Sequence, residues 1–142
     1  MTPRVVLVVE DGTEYVDAFR RLAAEGSEVE LLHAPDAASA RQILSGRRVD
    51  AIFLDVVFDR TPPEKLAGDR ARGNDYLAQN QGFYVLADLA PLIASGVRVL
   101  LAHDFASHPA RLAALQERVQ GLEGVAESAG INQVMGRLLS RV

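Results

Sequence analysis

The sequence predicts an α/β fold, a five-stranded parallel sheet with helices on both faces. Two observations carry that prediction. Short apolar runs rich in valine and leucine recur at residues 5–9, 49–54 and 97–102. Runs this short and this continuously apolar suit strands covered on both sides. Between them lie stretches whose apolar residues fall three and four apart, so strand and helix alternate. Alternation implies parallel strands joined by crossover helices.

The elements follow in order. The first strand ends at Glu10 and Asp11. Tyr15, Phe19, Leu22 and Ala23 then share one helical face, with Thr13 placed to cap it. "SEVELL" alternates polar and apolar, which predicts an edge strand with one wet face. The second helix, over residues 35–45, opens on Pro35 and Asp36 and stops before Gly46. The third strand, over 49–54, runs into Asp55. Phe83, Leu86, Leu89, Ala90 and Ile93 form the third helical stripe, ended by Gly96. Leu112, Leu115, Val119 and Leu122 form a fourth. The weakest element is a fifth strand at 124–127. Ile131, Val134, Met135, Leu138 and Leu139 close the series. Residues 59–81 break the rhythm, because most βα loops have about 2–6 residues.

Composition bounds the function. The chain of 142 residues suits a single domain, 1–142, with the insertion at about 59–81. It has no cysteine, which excludes disulfides, zinc–thiolate sites and a thiol nucleophile. No apolar run approaches the roughly 18 residues of a membrane span. Glu10 and Asp11 cut short the one apolar run near the start, so no signal peptide is expected. A soluble, cytoplasmic protein is therefore expected. The net charge of -4 and the lack of a basic tract argue against direct nucleic-acid binding. Of the 15 basic residues, only Lys65 is a lysine.

The acidic residues point to a site. In an open α/β sheet, ligands sit beyond the carboxyl ends of the strands where the strand order reverses. With order 2-1-3-4-5, the first and third strands are neighbours there. Glu10, Asp11 and Asp55 should then share one crevice. Such carboxylates repel one another unless a cation joins them. Oxygen ligands completed by water suit Mg²⁺, and a carboxylate beside it can attack a phosphoryl group. Singly, each residue would read as a helix cap or a solvated loop residue. A dinucleotide site is not expected, because no glycine-rich loop follows the first strand.

At "VVLVVEDG" and "VDAIFLDVVF" the chain resembles the receiver domain of two-component response regulators, whose fold is flavodoxin-like. "GFYVLADLAPLIASGVRVLLAH" resembles that family's third helix and fourth strand. The resemblance covers nearly the whole chain in element order. It implies phosphorelay signal transduction with Asp55 as phosphoacceptor. It implies Mg²⁺ held by Glu10, Asp11, Asp55 and the backbone carbonyl of Val57. It also implies a histidine kinase or phosphotransfer protein as donor and a downstream effector protein as partner. Homodimerisation would use the family's fourth helix, fifth strand and fifth helix. No enzymatic turnover is expected: Val56 and Val57 follow Asp55, so the general acid of aspartate-nucleophile phosphatases is absent.

Three departures qualify the resemblance. The family's Ser or Thr after the fourth strand is replaced by Ala102 or His103. His103 reads either as a hydrogen-bond donor to a phosphoryl group or as an exposed loop residue. The family's Lys-Pro pair after the fifth strand is missing, and no shift of alignment restores a lysine. The proline usual after the phosphoacceptor is missing too. In the insertion, Arg60, Lys65, Arg70 and Arg72 are candidate replacement cations. Pro62 and Pro63 stiffen its departure. Gly68, Gly73 and Gly82 permit turns, and Leu66, Tyr76 and Leu77 are placed to dock it. The expected function is a phosphoacceptor signalling module. The alternative is a pseudo-receiver, the same fold binding proteins with little or no phosphorylation.

Overall fold

Residues 3–23, 28–103, 105, 109–126 and 128–139 are described in a computed structural model. Five strands are found: β1 (Arg4–Val9), β2 (Val29–Ala34), β3 (Ala51–Asp55), β4 (Arg98–Ala102) and β5 (Leu122–Val125). They form one parallel sheet in the order β2-β1-β3-β4-β5. The helices are α1 (Glu14–Ala23), α2 (Ala37–Gly46), α3 (Asn74–Gln79), α4 (Gln81–Leu89), α5 (Pro109–Arg118) and α6 (Ile131–Leu139).

Side-chain alternation divides the strands between two cores. Leu7, Val9, Ile52, Leu54, Val99 and Leu101 face one side, where Ala40 of α2 and Val85, Leu86 and Leu89 of α4 cover them. Val6, Val8, Phe53, Leu100 and Val125 face the other side, under Val16 and Phe19 of α1 and Val134, Met135 and Leu138 of α6. The Phe19 and Phe53 rings meet edge to face at 5.5 Å. Each large side chain buried in these cores contributes about 1.5–3 kcal/mol. A helix layer on either face explains why β1, β3 and β4 read as unbroken apolar runs. β2 lies at the sheet edge and is only half-buried for most of its length.

Several boundaries differ from expectation. β3 starts at Ala51, because Val49 and Asp50 form its approach, and Asp50 Oδ2 accepts the Val5 N–H at 2.8 Å. The third helical stripe breaks before Ile93. Pro91 lacks an N–H, and the chain tightens into a 3₁₀ turn at Ala90–Leu92. Leu122 belongs to β5 and not to the helix before it. Gly121, at φ 79°, makes the tight turn between them. The fifth strand thus lies earlier than 124–127, and Glu127 is outside the described residues.

The insertion has structure of its own. Turns of 3₁₀ helix at Pro63–Lys65 and Arg70–Arg72 precede α3. Leu66 and Leu77 are buried, while Tyr76 remains 42% exposed and does not dock as expected. The buried Gln81 amide ties the segment down. It accepts the Ala67 N–H at 2.7 Å and donates to the Ala67 and Leu77 carbonyls at 3.0 and 3.1 Å. Gly68 and Gly73 adopt positive φ, as a turn needs. Gly82 does not turn; it lies inside α4. Among the described residues, no helix is long and apolar enough to cross a membrane.

Candidate functional site

Parallel pairing carries the acidic residues to one edge of the sheet. Val9 pairs with Leu54, so Glu10 and Asp55 lie one step further along neighbouring strands. Asp55 pairs with Ala102 of β4. Asp55 is half-buried, and its Oδ1 accepts the Val56 N–H at 2.9 Å.

Glu10 has turned inward. It is 1% exposed, and its two carboxylate oxygens accept the N–H groups of Tyr15 and Val16 at 3.2 and 2.8 Å. These donors belong to the first turn of α1, whose N–H groups have no partner within the helix. Glu10 therefore does the capping work expected of Thr13. Burial pushes its carboxyl pKa upward, against the two backbone hydrogen bonds and nearby His33, which act the other way. A cation at Glu10 would have to share its oxygens with these two N–H donors.

Asp11 points the other way. Its Oδ2 accepts the backbone N–H of Arg60 at 2.6 Å, and the Arg60 guanidinium reaches Glu14 at 2.6 Å. Gly12 lies beneath that pair, and any Cβ there would strike both side chains. The start of the insertion is thus strapped across the β1–α1 loop. The other candidate cations lie elsewhere. Lys65 sits 3.9 Å from Asp36, the residue that caps α2. Arg70 donates to the carbonyl oxygen of Pro63. Arg72 lies over the Tyr76 ring.

The opposite corner is apolar. Ala102 is 1% exposed at the end of β4. The His103 ring stands edge to face between Phe83 and Phe105, each 5.1 Å away, so it is a packed ring and not the exposed loop residue of one expectation. Ala126 follows β5. Among the described residues of this corner, no hydroxyl or lysine takes the place of those the resemblance requires.

Two contributors escaped sequence reasoning. The Gly82 N–H donates to the Val56 carbonyl at 2.9 Å, and a Cβ at Gly82 would overlap the Asp55 carbonyl oxygen and the Val56 Cα. α4 therefore begins in direct contact with the backbone of Asp55. His33 of β2 meets the Glu10 carbonyl oxygen at 3.0 Å. Neither sequence position carries a signal for this contact before the topology is known.

Among the described residues, no group of three or more His, Asp or Glu side chains is gathered to hold a metal ion. The local donors are nonetheless all oxygen. Asp11, Asp55 and the Val57 carbonyl, which accepts no hydrogen bond among the described residues, are the set on offer. Mg²⁺ commonly takes only one or two carboxylates and completes its shell with water. The residues present fit it on that basis.

No family model matches the chain, and no curated protein matches it. Solved structures do. The receiver domain of the Francisella response regulator 1452 is 17% identical, with a TM-score of 0.63, over 95% of this chain and 93% of that one. A chain of the CheX-CheY-BeF3-Mg+2 complex from Borrelia burgdorferi is 14% identical, with a TM-score of 0.65, over 97% and 88%. A response regulator from Burkholderia pseudomallei, with a phosphorylated aspartic acid, calcium ion and citrate, is 17% identical, with a TM-score of 0.60, over 96% and 67%. The chain has the fold of response regulator receiver domains.

Proposed function

We propose that the chain is a signalling module that accepts a phosphoryl group on Asp55 and acts through contact with a partner protein. The carrying observation is the position of Asp55: half-buried at the carboxyl end of the central strand β3, one register step past the Val9–Leu54 pair and beside the loop that bears Asp11. The Borrelia and Burkholderia neighbours, with BeF3 and Mg²⁺ in one and a phosphorylated aspartic acid in the other, support the reading.

In the step proposed, an Asp55 carboxylate oxygen attacks the phosphorus of a phosphohistidine on a kinase or phosphotransfer protein. The O–P bond forms as the P–N bond breaks. Its electron pair leaves with the imidazole, which takes a proton from solvent. Mg²⁺, held by Asp11, Asp55 and the Val57 carbonyl, would neutralise the negative charge brought to the site. The module turns nothing over in this reading, and it works in the cytoplasm.

A second reading has an observation of its own. Among the described residues, Ala102, the packed His103 ring and Ala126 stand at the β4–β5 corner with no hydroxyl or lysine beside them to pair with a phosphoryl group. That favours a pseudo-receiver that binds its partner constitutively. Incubation with acetyl phosphate and Mg²⁺ separates the two. One added phosphoryl group by intact mass, lost in Asp55→Asn, supports the acceptor. No mass change in the wild type supports the constitutive binder.

A further inference from the structure

α5 is an amphipathic helix of ten residues, and none of them is buried. Leu112 and Leu115 touch the core only at its margin. Arg111, Leu115 and Arg118 lie at i, i+4 and i+7, one stripe along the helix. That stripe faces α4 across an open groove of about 450 Å³. Tyr76, Phe83 and Tyr84 supply aromatic walls, and no acidic residue lines it. Tyr76 comes from α3, so the insertion builds one side.

The groove gathers two basic side chains and no acidic one. The protein is acidic overall, at -4. Arg20, Arg41, Arg47, Arg60, Arg98 and Arg137 all pair with carboxylates. Among the described residues, Arg111 and Arg118 pair with no carboxylate, as is also true of Arg4, Arg21, Arg48, Arg70 and Arg72; what distinguishes the two is that they share one groove whose lining holds no acidic residue. The Arg111 guanidinium lies 3.9 Å from the centre of the Phe83 ring, a cation–π contact that uses the face of the guanidinium and no carboxylate. Two guanidiniums in a groove with aromatic walls form a surface that complements an anionic, apolar-faced occupant.

We propose that the α4–α5 groove docks an acidic amphipathic helix of a partner protein. Its apolar side chains would lie against Phe83, Tyr84 and Leu115, and its carboxylates would pair with Arg111 and Arg118. This is the helix-in-groove mode of recognition. The groove is not isolated from Asp55. Its α4 wall begins at Gln81, and the neighbouring Gly82 touches the Asp55 carbonyl. Docking itself does not depend on phosphoryl uptake, so the two proposals stand or fall separately.

The test is an amide NMR titration of the unphosphorylated protein with two synthetic peptides of about 15 residues, enough for four helical turns. Both carry the same leucine and phenylalanine stripe. One has glutamate on its polar face and the other lysine. The acidic peptide is expected to shift the amides of Tyr84, Leu115 and Arg118 and to bind at least about tenfold more tightly than the basic one at low salt. In Arg111→Glu/Arg118→Glu that preference should reverse. Arg111→Ala/Arg118→Ala should abolish it, which keeps the test valid if charge reversal unfolds the protein. Asp55→Asn should bind like the wild type. Equal binding of the two peptides, shifts confined to another surface, or unchanged affinity in the arginine variants overturns the proposal. So does binding of a single-stranded oligonucleotide at these amides in place of the acidic peptide.

Discussion

Two corners of one sheet edge behave differently. At the ends of β1 and β3 the polar groups are positioned by specific contacts. Glu10 caps α1, Asp11 holds the Arg60 N–H, and Gly82 brings α4 onto the Asp55 backbone. At the ends of β4 and β5, packing replaces polarity: Ala102 is buried and His103 is stacked between two phenylalanines. One sheet edge can therefore hold a half-buried aspartate at one corner and a packed, apolar group of side chains at the other. From the Asp55 backbone the contacts run into α4 through Gly82, and through Gln81 to the insertion.

The largest expected effect tests how tightly the acceptor corner is built. In an exposed helix, alanine beats glycine by about 1 kcal/mol. At Gly82 the new methyl would meet rigid backbone, and overpacking of that kind costs about 1–3 kcal/mol. Gly82→Ala should therefore lose about 1–2 kcal/mol net in urea unfolding. At Gly136 of α6 an added methyl would meet nothing within 4 Å, so Gly136→Ala should gain up to about 1 kcal/mol. Equal effects at the two glycines would break the comparison.

Glu10→Ala comes next, with a loss of about 1–2 kcal/mol for the α1 cap. Its pH dependence has a definite sign. The folded pKa of Glu10 is raised by burial, so between the unfolded and folded values the native state holds more proton. This group's contribution then falls as pH rises from below 4.5 through the folded pKa. With EDTA present, the penalty for Glu10→Ala should be greater at low pH than at neutral pH. A penalty that grows toward neutral pH would mean that the carboxylate form is the stabilised one.

A smaller effect lies at the other corner. Ala102→Ser returns a hydroxyl opposite Asp55. One added hydrogen bond contributes about 0.5–1.5 kcal/mol, so beryllofluoride should bind up to about tenfold more tightly. No change would mean that the hydroxyl does not reach a group on Asp55. The smallest effect belongs to Arg60→Ala. The ion pair with Glu14 is exposed at 61% and 62%, and pairs of that kind add little. The Arg60 backbone N–H still reaches Asp11. The melting temperature should stay unchanged, and a clear drop would show that the guanidinium itself holds the strap.

Much of the fold was legible because the sheet has two covered faces. Residues 5–9, 49–54 and 97–102 announce themselves as strands for that reason. The Asp36 cap and the α6 stripe were equally legible, since both are local signals. Leu122 was misread because helical spacing continued across a turn that only Gly121 marks. The insertion's order was expected from Leu66 and Leu77, but Gln81, which ties it down, carries no pattern. Glu10 shows the limit for the site. One acidic residue can cap a helix or ligate a metal, and only the direction of its carboxylate decides. The positions of Asp11 and Asp55 followed from strand order alone. The Arg60 strap joins residues 49 apart in sequence, a distance at which local pattern is silent.

The most direct test of the acceptor claim is calorimetric titration with beryllofluoride, with and without Mg²⁺, on the wild type and Asp55→Asn. The expected result is saturable binding at one site in the wild type, only with Mg²⁺, and none in Asp55→Asn. Absence of binding at millimolar Mg²⁺, or equal binding by Asp55→Asn, would contradict it and leave the constitutive binding module in its place.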